Sequence, residues 1–255
     1  MERLDLARLS SLLGEGFFVH AFAQLDSTNS WLLEEAKNNA AEFSLAVAET
    51  QLAGRGREGR HFFSPCGGAY FSLLVHPKGA FDPALLTALS AVCVCEAAEE
   101  LGAADCGIKW VNDVYQKNKK CCGILTQGVF EGARLAAAVI GIGANLTPPE
   151  GGFAPEIAPR AGAFFEKSLP YLRERFIAAV CQKIRKRLPL GTGAFLQDYQ
   201  ERSILPGRRV TVSSLVGGAT FFATAETIDD ACRLVVRDDA GTLHTLSSGE
   251  VTLAL

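Results

Sequence analysis

No stretch of this 255-residue chain is long and apolar enough to span a bilayer, so no membrane association is expected. Its opening, Met1-Glu2-Arg3-Leu4-Asp5, does not lead into the apolar core of a secretory signal. Positive charge is not in excess. With 25 Lys and Arg against 28 Asp and Glu, the formal net charge is -3, which gives no general field for nucleic acid. None of the eight cysteines forms a CxxC pair, so zinc and dithiol-redox readings are weak. Several, such as Cys93 and Cys95, sit in apolar runs where free thiols pack as small hydrophobes. The expectation is a reduced, cytoplasmic protein. No internal repeat is visible. What remains is a globular composition, 48% hydrophobic and 21% charged, with enough chain for one large domain plus a small one.

The pattern along the chain alternates strands and helices. Phe17 to Gln24, Leu45 to Glu49 and Ala69 to His76 read as strands, with a helix from about Thr28 to Lys37. Leu4, Leu6, Leu9, Leu12 and Leu13 form at most one helix ahead of them. Asp82 before Pro83 predicts a capped helix that stops near Gly102. Ile108 to Tyr115, Cys121 to Gln127 and Leu135 to Ile142 are strand-like, and Lys117-Asn118 turns between the first two. A Pro- and Gly-rich loop covers 147–162. The spacing of Phe165, Leu169, Leu172, Phe176, Val180, Ile184 and Leu188 then predicts a long amphipathic helix. Its last turns collect Lys183, Arg185, Lys186 and Arg187, read as a solvated face. After Pro206-Gly207 come five short strands, at 210–213, 221–228, 234–237, 242–246 and 251–253. Gly217-Gly218, Asp229-Asp230 and Asp239-Ala240-Gly241 punctuate them. The expected architecture is α+β: a mixed sheet flanked by helices over 1–205, with a small barrel-like β module over 206–255 leaning on it.

Four blocks carry chemistry. The first, Leu25-Asp26-Ser27-Thr28-Asn29, stands at a strand-to-helix junction, where its hydroxyls either cap the helix or bind a neutral, urea-like ring. The second, Gln51 followed by Gly54-Arg55-Gly56-Arg57-Glu58-Gly59-Arg60, puts three arginines and three glycines in seven residues. Glycine lets backbone approach a ligand and arginine offers a planar fork to carboxylate or phosphate. That loop closes over an anion, or is a solvated basic turn or weak RNA contact. The third runs Lys109-Trp110-Val111-Asn112-Asp113, then Lys120-Cys121-Cys122-Gly123-Ile124-Leu125. As a plain hairpin it would need no further meaning. Yet it sets Asp113 and Lys120 on neighbouring strands, where the carboxylate could hold the ammonium or a metal ion. An ammonium held there can neutralise a carboxylate and a phosphate brought together, as activation of an acid by ATP requires. The fourth, Gly141-Ile142-Gly143-Ala144-Asn145, is a glycine-interrupted strand end with an amide.

Together with Ser64, Gly67 and Gly68, these blocks occur in the order found in the biotin–protein ligase family, which the chain resembles over residues 25–146. The β module fits that family's C-terminal SH3-like domain. The resemblance implies coupling of biotin to ATP, giving biotinyl-5′-AMP and pyrophosphate, then transfer to one lysine of a biotin carboxyl carrier protein or domain of a biotin-dependent carboxylase. On matching positions, Ser27, Thr28, Asn29, Gln51, Gly54, Arg55, Gly123 and Gly141 would bind biotin. Arg57 would close over biotin and the adenylate phosphate, and Lys120 would bind the carboxylate and the α-phosphate. Arg60, Phe62, Lys109, Trp110, Asn112 and Asn145 would serve the nucleotide. Asp113 would lie on the Mg²⁺-ATP side and is also a candidate base for the acceptor amine.

Three positions depart from the family pattern. Val111 stands where proline is usual, Phe62 where tryptophan is, and Cys121 replaces a small apolar residue beside Lys120. None removes a charge. Cys121 either packs or has its thiol acidified by the cation. About twenty-five residues precede the first block, which leaves no room for a DNA-binding helix-turn-helix, so no DNA partner is expected. An apolar edge of the mixed sheet leaves a homodimer open. Three rivals are a lipoate or octanoate transferase, not expected to carry the Arg/Gly loop; a non-catalytic biotin sensor, which would have lost a charge at Arg57, Asp113 or Lys120; and a nucleic-acid-binding β module at 206–255, which has few surface cations and no aromatic stacking platform.

Overall fold

A computed structural model describes residues 3–78, 83–213 and 220–253. The Asp82 cap and the Gly217-Gly218 turn lie outside the described residues. The elements run α1 (Leu6–Leu13), β1 (Phe18–Leu25), α2 (Thr28–Lys37), β2 (Ser44–Gln51), β3 (Ala69–Val75) and α3 (Pro83–Glu100). Then follow β4 (Gly107–Lys109), β5 (Asp113–Gln116), β6 (Lys119–Glu131), β7 (Arg134–Ala144), α4 (Leu172–Arg187) and α5 (Leu196–Arg202). The last five strands are β8 (Arg209–Ser213), β9 (Thr220–Ile228), β10 (Leu234–Asp238), β11 (Leu243–Leu246) and β12 (Glu250–Leu253).

The first seven strands form one mixed sheet in the order β1-β2-β3-β7-β6-β5-β4. Only β1 and β2 run parallel in it. Its central strands are apolar on both faces because both faces are covered. Leu45, Val47, Leu73 and Val75 join the core with α3 and α4, whereas Ala46, Leu74 and Val139 pack under Leu32 of α2. The second sheet is antiparallel, ordered β11-β10-β9-β8-β12. Its buried Val210, Val212, Ala225 and Val236 belong to the same apolar cluster as the core of the larger sheet. The module therefore does lean on its neighbour.

Three sequence expectations are corrected. The run Ile108 to Tyr115 is two strands, with Lys109 paired to Asp113 across a turn at Trp110–Asn112. The turn is anchored from outside the sheet: the Trp110 indole donates to Cys232 O at 2.9 Å and the Tyr199 hydroxyl to Val111 O at 3.1 Å. The predicted helix from Phe165 starts only at Leu172, after Pro170 and a left-handed Tyr171 (φ 53°). Phe164 and Phe165 instead donate their amides to Asn145 O and Leu146 O.

Half of the basic end of α4 is a solvated face, with Arg185 and Lys186 exposed, but Lys183 and Arg187 are half-buried and paired. Arg187 forks onto Glu96 at 2.8 and 2.7 Å, Lys183 reaches Glu100 at 2.5 Å, and the Lys183, Arg187 and Glu96 side chains are only about a fifth exposed (21%, 21% and 20%). Bidentate pairing at that depth clamps α4 to α3. Arg187→Ala would leave Glu96 short of its best partner and is expected to destabilise the fold by about 1–3 kcal/mol. A urea titration would show it as a lower midpoint at constant slope; an unchanged midpoint would make the clamp ornamental.

Candidate active site

On the face of the large sheet that carries α2, a cavity of about 330 Å³ opens between the two sheets. Its floor is hollowed by missing side chains. Gly123 faces Gly143 across β6 and β7, and Gly141 faces Ser72 across β3. A Cβ on Gly143 would stand 2.5 Å from the Phe62 ring, and one on Gly123 only 3.3 Å from Lys120 Nζ. Strand glycines at such positions mark the close approach of another group. Here the group is the aromatic ring carried by the Arg/Gly loop.

The deep end is polar and mutually bonded. Thr28 donates its amide and hydroxyl to Gln51 Oε1 at 2.9 and 3.1 Å, and its Oγ1 lies 2.9 Å from Ser72 Oγ. Gln51 Nε2 donates to Ser64 Oγ at 2.9 Å, and that hydroxyl donates to Phe62 O at 3.0 Å. One chain of bonds thus joins α2, β3, β2 and the end of the Arg/Gly loop. Ser27 does cap α2, through its Oγ and the Ser30 amide at 3.3 Å, and it lines the cavity as well. The two readings of that serine are compatible. Asn29 donates from Nδ2 to Gln127 Oε1 at 2.7 Å, while its buried Oδ1 lies against Gly141 with no donor among the described residues.

Around the Arg/Gly loop, Gly56 N–H bonds Arg60 O and Phe62 N–H bonds Gly54 O, so the segment is a tight hairpin-like tab. Glu58 and Gly59 turn its tip with φ of 58° and 72°. Gly54 does not line the cavity; a Cβ there would collide with Phe62 O, so its contribution is the closeness of the two backbones. Arg55 reaches Ser30 Oγ at 3.3 Å. Arg57 donates to Asn112 Oδ1 at 3.3 Å and to Gly249 O at 3.2 Å. Arg60 forks onto the Glu250 carboxylate of the C-terminal sheet. The hydrogen bond from Arg60 holds the Glu250 carboxyl below its ordinary value.

At the opposite wall Lys120 Nζ lies 2.7 Å from Asp113 Oδ1, an ionic contact rather than an aligned hydrogen bond. The position of Lys120 comes from an irregularity in the β5–β6 pairing: Val114 faces Cys122 but Tyr115 faces Lys120, leaving Cys121 unpaired. While it faces Tyr115 of β5, Lys120 turns its backbone groups to the loop, its N–H on Arg160 O and its C=O on Gly162 N–H, both at 2.8 Å. Asn145 Nδ2 secures the same loop through Gly162 O at 2.9 Å. Asn112 Nδ2 donates to Ile124 O at 3.0 Å. Burial pulls the Lys109 ammonium below its ordinary value, with Asp113 and Glu250 opposing. Trp110 lines the cavity, but its N–H is spent on Cys232 O. Cys121 is no acidified thiol: burial pushes it up to about 12, so it packs. Among the described residues no three His, Cys, Asp or Glu side chains gather as a metal site.

Apart from Gly54, every site residue expected from the sequence lines this one cavity. The sequence reading missed Ser72, Tyr115, Phe153, Ile157, Arg160, Gly249 and Glu250. Ser72 was legible as the lone polar residue of an apolar strand. Of the others, Tyr115 lies on β5, Phe153, Ile157 and Arg160 in the loop before α4, and Gly249 and Glu250 at the start of β12, with no local signal.

A glycine-floored cavity in a mixed sheet, walled by a lysine–aspartate pair and covered by an arginine tab tied to a β module, suits an anionic ligand. Residues 21–145 match the model of the biotin/lipoate A/B protein ligase family, and 207–253 match the biotin protein ligase C-terminal domain. The bifunctional ligase/repressor BirA of Bacillus subtilis is 30% identical over 96% of this chain and 76% of its own. The biotin–[acetyl-CoA-carboxylase] ligase of Paracoccus denitrificans is 31% identical over 86% of this chain and 94% of its own. In fold, the chain resembles a biotin protein ligase from Aquifex aeolicus solved with biotin and ATP, with a TM-score of 0.76 at 24% identity, covering 93% of this chain and 98% of that one. The chain belongs to the biotin–protein ligase family, and it is an enzyme of the ligase class.

Proposed function

We propose that the protein activates biotin with ATP and transfers the biotinyl group to a lysine of a biotin carboxyl carrier domain of a carboxylase. The observation that carries this reading is the single cavity with a bonded, uncharged polar end and a cationic end. A urea-like ring needs the first, and a carboxylate meeting a triphosphate needs the second. Residues 1–205 form the catalytic part in this reading and 206–255 the SH3-like module.

In the first half-reaction the ring lies between α2 and the glycine floor, among Ser27, Thr28, Asn29, Gln51, Gly123 and Gly141. The Thr28–Gln51–Ser64 chain presents both acceptor and donor edges there. The acid's tail runs toward Lys120. That ammonium, held by Asp113 at 2.7 Å, offsets the repulsion between carboxylate and α-phosphate as they approach. Asn112 and Lys109 shape the nucleotide side with Asn145, and Asp113 would be the carboxylate nearest a Mg²⁺ carried in with ATP, which would offset charge on the phosphates. Phe62 and Trp110 give that side its apolar walls.

In the second half-reaction the acceptor amine attacks the carbonyl carbon of the mixed anhydride. The carbon–oxygen bond to phosphate breaks, AMP leaves with the electron pair, and Asp113 is the carboxylate on this wall able to take the amine's proton. The Arg57 tab keeps water from the anhydride meanwhile. The chain retains Arg57, Asp113 and Lys120, so a mere sensor is disfavoured. The Arg/Gly loop and the match to a biotin-ligase C-terminal domain weigh against a lipoate transferase.

Purified protein incubated with biotin, MgATP and a carrier domain should place label on the carrier lysine. Lipoate in place of biotin should give none. Labelling by lipoate alone would replace this reading with its rival.

A further inference from the structure

The cations around the cavity are not equally available to a ligand. Lys120 is paired with Asp113, and Arg60 with Glu250. Arg57 bonds Asn112 and Gly249, Arg55 turns to Ser30 beside the ring end, and Lys109 is half-buried. Arg160 differs from all of these. It lines the cavity from the loop that precedes α4, is exposed, and has no hydrogen-bond or ion-pair partner for its guanidinium among the described residues.

Its backbone is nevertheless fixed. Arg160 N–H donates to Ile157 O at 2.9 Å, Ala161 N–H to the same oxygen at 2.8 Å, and Arg160 O takes the Lys120 amide at 2.8 Å. Lys119 Nζ adds a bond to Ala158 O at 3.3 Å. Gly162 cannot carry a side chain without striking Lys119 Cβ at 2.7 Å, which shows how closely this segment lies on β6. Arg160 is thus a free cation mounted beside the lysine that meets the carboxylate and the α-phosphate.

Adenylation creates a need for such a group. A carboxylate oxygen of biotin bonds to the α-phosphorus while the α-phosphorus–oxygen bond to the β-phosphate breaks. The electron pair departs with pyrophosphate, so negative charge grows on the leaving group, away from Lys120. A cation placed where charge develops contributes directly to the rate. An arginine fork suits two adjacent phosphates better than a point charge does.

We propose that Arg160 is a catalytic residue of the first half-reaction, binding the β- and γ-phosphates of ATP and stabilising the departing pyrophosphate. The role rests on the function proposed above and adds a residue to it.

The test follows biotin-dependent biotinyl-5′-AMP formation in the whole protein, with inorganic pyrophosphate and AMP as separate inhibitors. Arg160→Ala should lower kcat for adenylate formation, raise the KM for ATP and weaken pyrophosphate inhibition, each by about tenfold, the size of one solvent-screened charge contact. Biotin affinity and AMP inhibition should stay within about twofold, because neither ligand has a β-phosphate. Arg160→Lys should restore part of the loss. Unchanged pyrophosphate inhibition in Arg160→Ala overturns the assignment. Equal loss of AMP, biotin and pyrophosphate binding also overturns it, since that would mean the loop had only been a support. No biotin-dependent adenylate from the parent protein would instead overturn the function itself.

Discussion

Lys120→Ala is expected to lower biotinyl-5′-AMP formation by about a thousandfold while leaving the protein folded. Two effects combine. The ammonium that would screen biotin's carboxylate from the α-phosphate is gone, and the Asp113 carboxylate, 2.7 Å away in the parent, is left without its counter-charge. A cavity built to receive two anions then presents a third. Folding should survive because Lys120 is held by its backbone, through Arg160 O and Gly162 N–H, and its side chain is about a third exposed (34%). Pyrophosphate release at the parent rate would refute the role. Lys120→Arg should not rescue fully, since a planar fork cannot occupy the narrow space above Gly123 as a compact ammonium does.

The second large effect is expected at Arg57. Its present partners, Asn112 Oδ1 and Gly249 O, are neutral and lie at 3.3 and 3.2 Å. An adenylate phosphate offers a charged acceptor, and charge-assisted bonds are roughly twice as strong as neutral ones. Arg57 should therefore exchange its partners for the ligand, drawing the tab shut. Arg57→Ala should speed adenylate dissociation by about 10- to 100-fold, the weight of one or two such bonds. Preforming labelled biotinyl-5′-AMP on the enzyme and chasing with unlabelled ligand measures that rate directly. A dissociation rate equal to the parent's would mean that the tab does not close.

Much of the site was readable because its parts are local. The Arg/Gly tab, the Asp113–Lys120 hairpin and the glycine-interrupted β7 each lie within a short segment whose spacing places them. The turn at Trp110–Asn112 was hidden for a physical reason. Trp and Val are strong strand formers with no breaker between them, and what bends the chain is a pair of bonds from Tyr199 and to Cys232, far away in sequence. A proline at Val111, usual in the family, would have announced the turn. The start of α4 was misplaced because Phe165 and Leu169 keep the helical spacing by coincidence while Phe165 bonds Leu146, just past the end of β7. The acidic partners of α4 were invisible for a like reason: Glu96 and Glu100 lie on a helix some ninety residues earlier, so only packing brings them to Lys183 and Arg187. Glu250 and Arg160 also gain their places from long-range contacts.

The cluster of buried side chains runs without a break from Leu9, through α3 and Trp110, to Val236 and Val251 of the last sheet. Two regions that read as separate pieces along the chain therefore share their interior. Heating should melt them in one cooperative step, with a single calorimetric peak and no surviving β module. Losing the last fifty residues would accordingly lay bare Trp110 and Tyr199, so the small sheet acts as part of the foundation on which the catalytic wall stands.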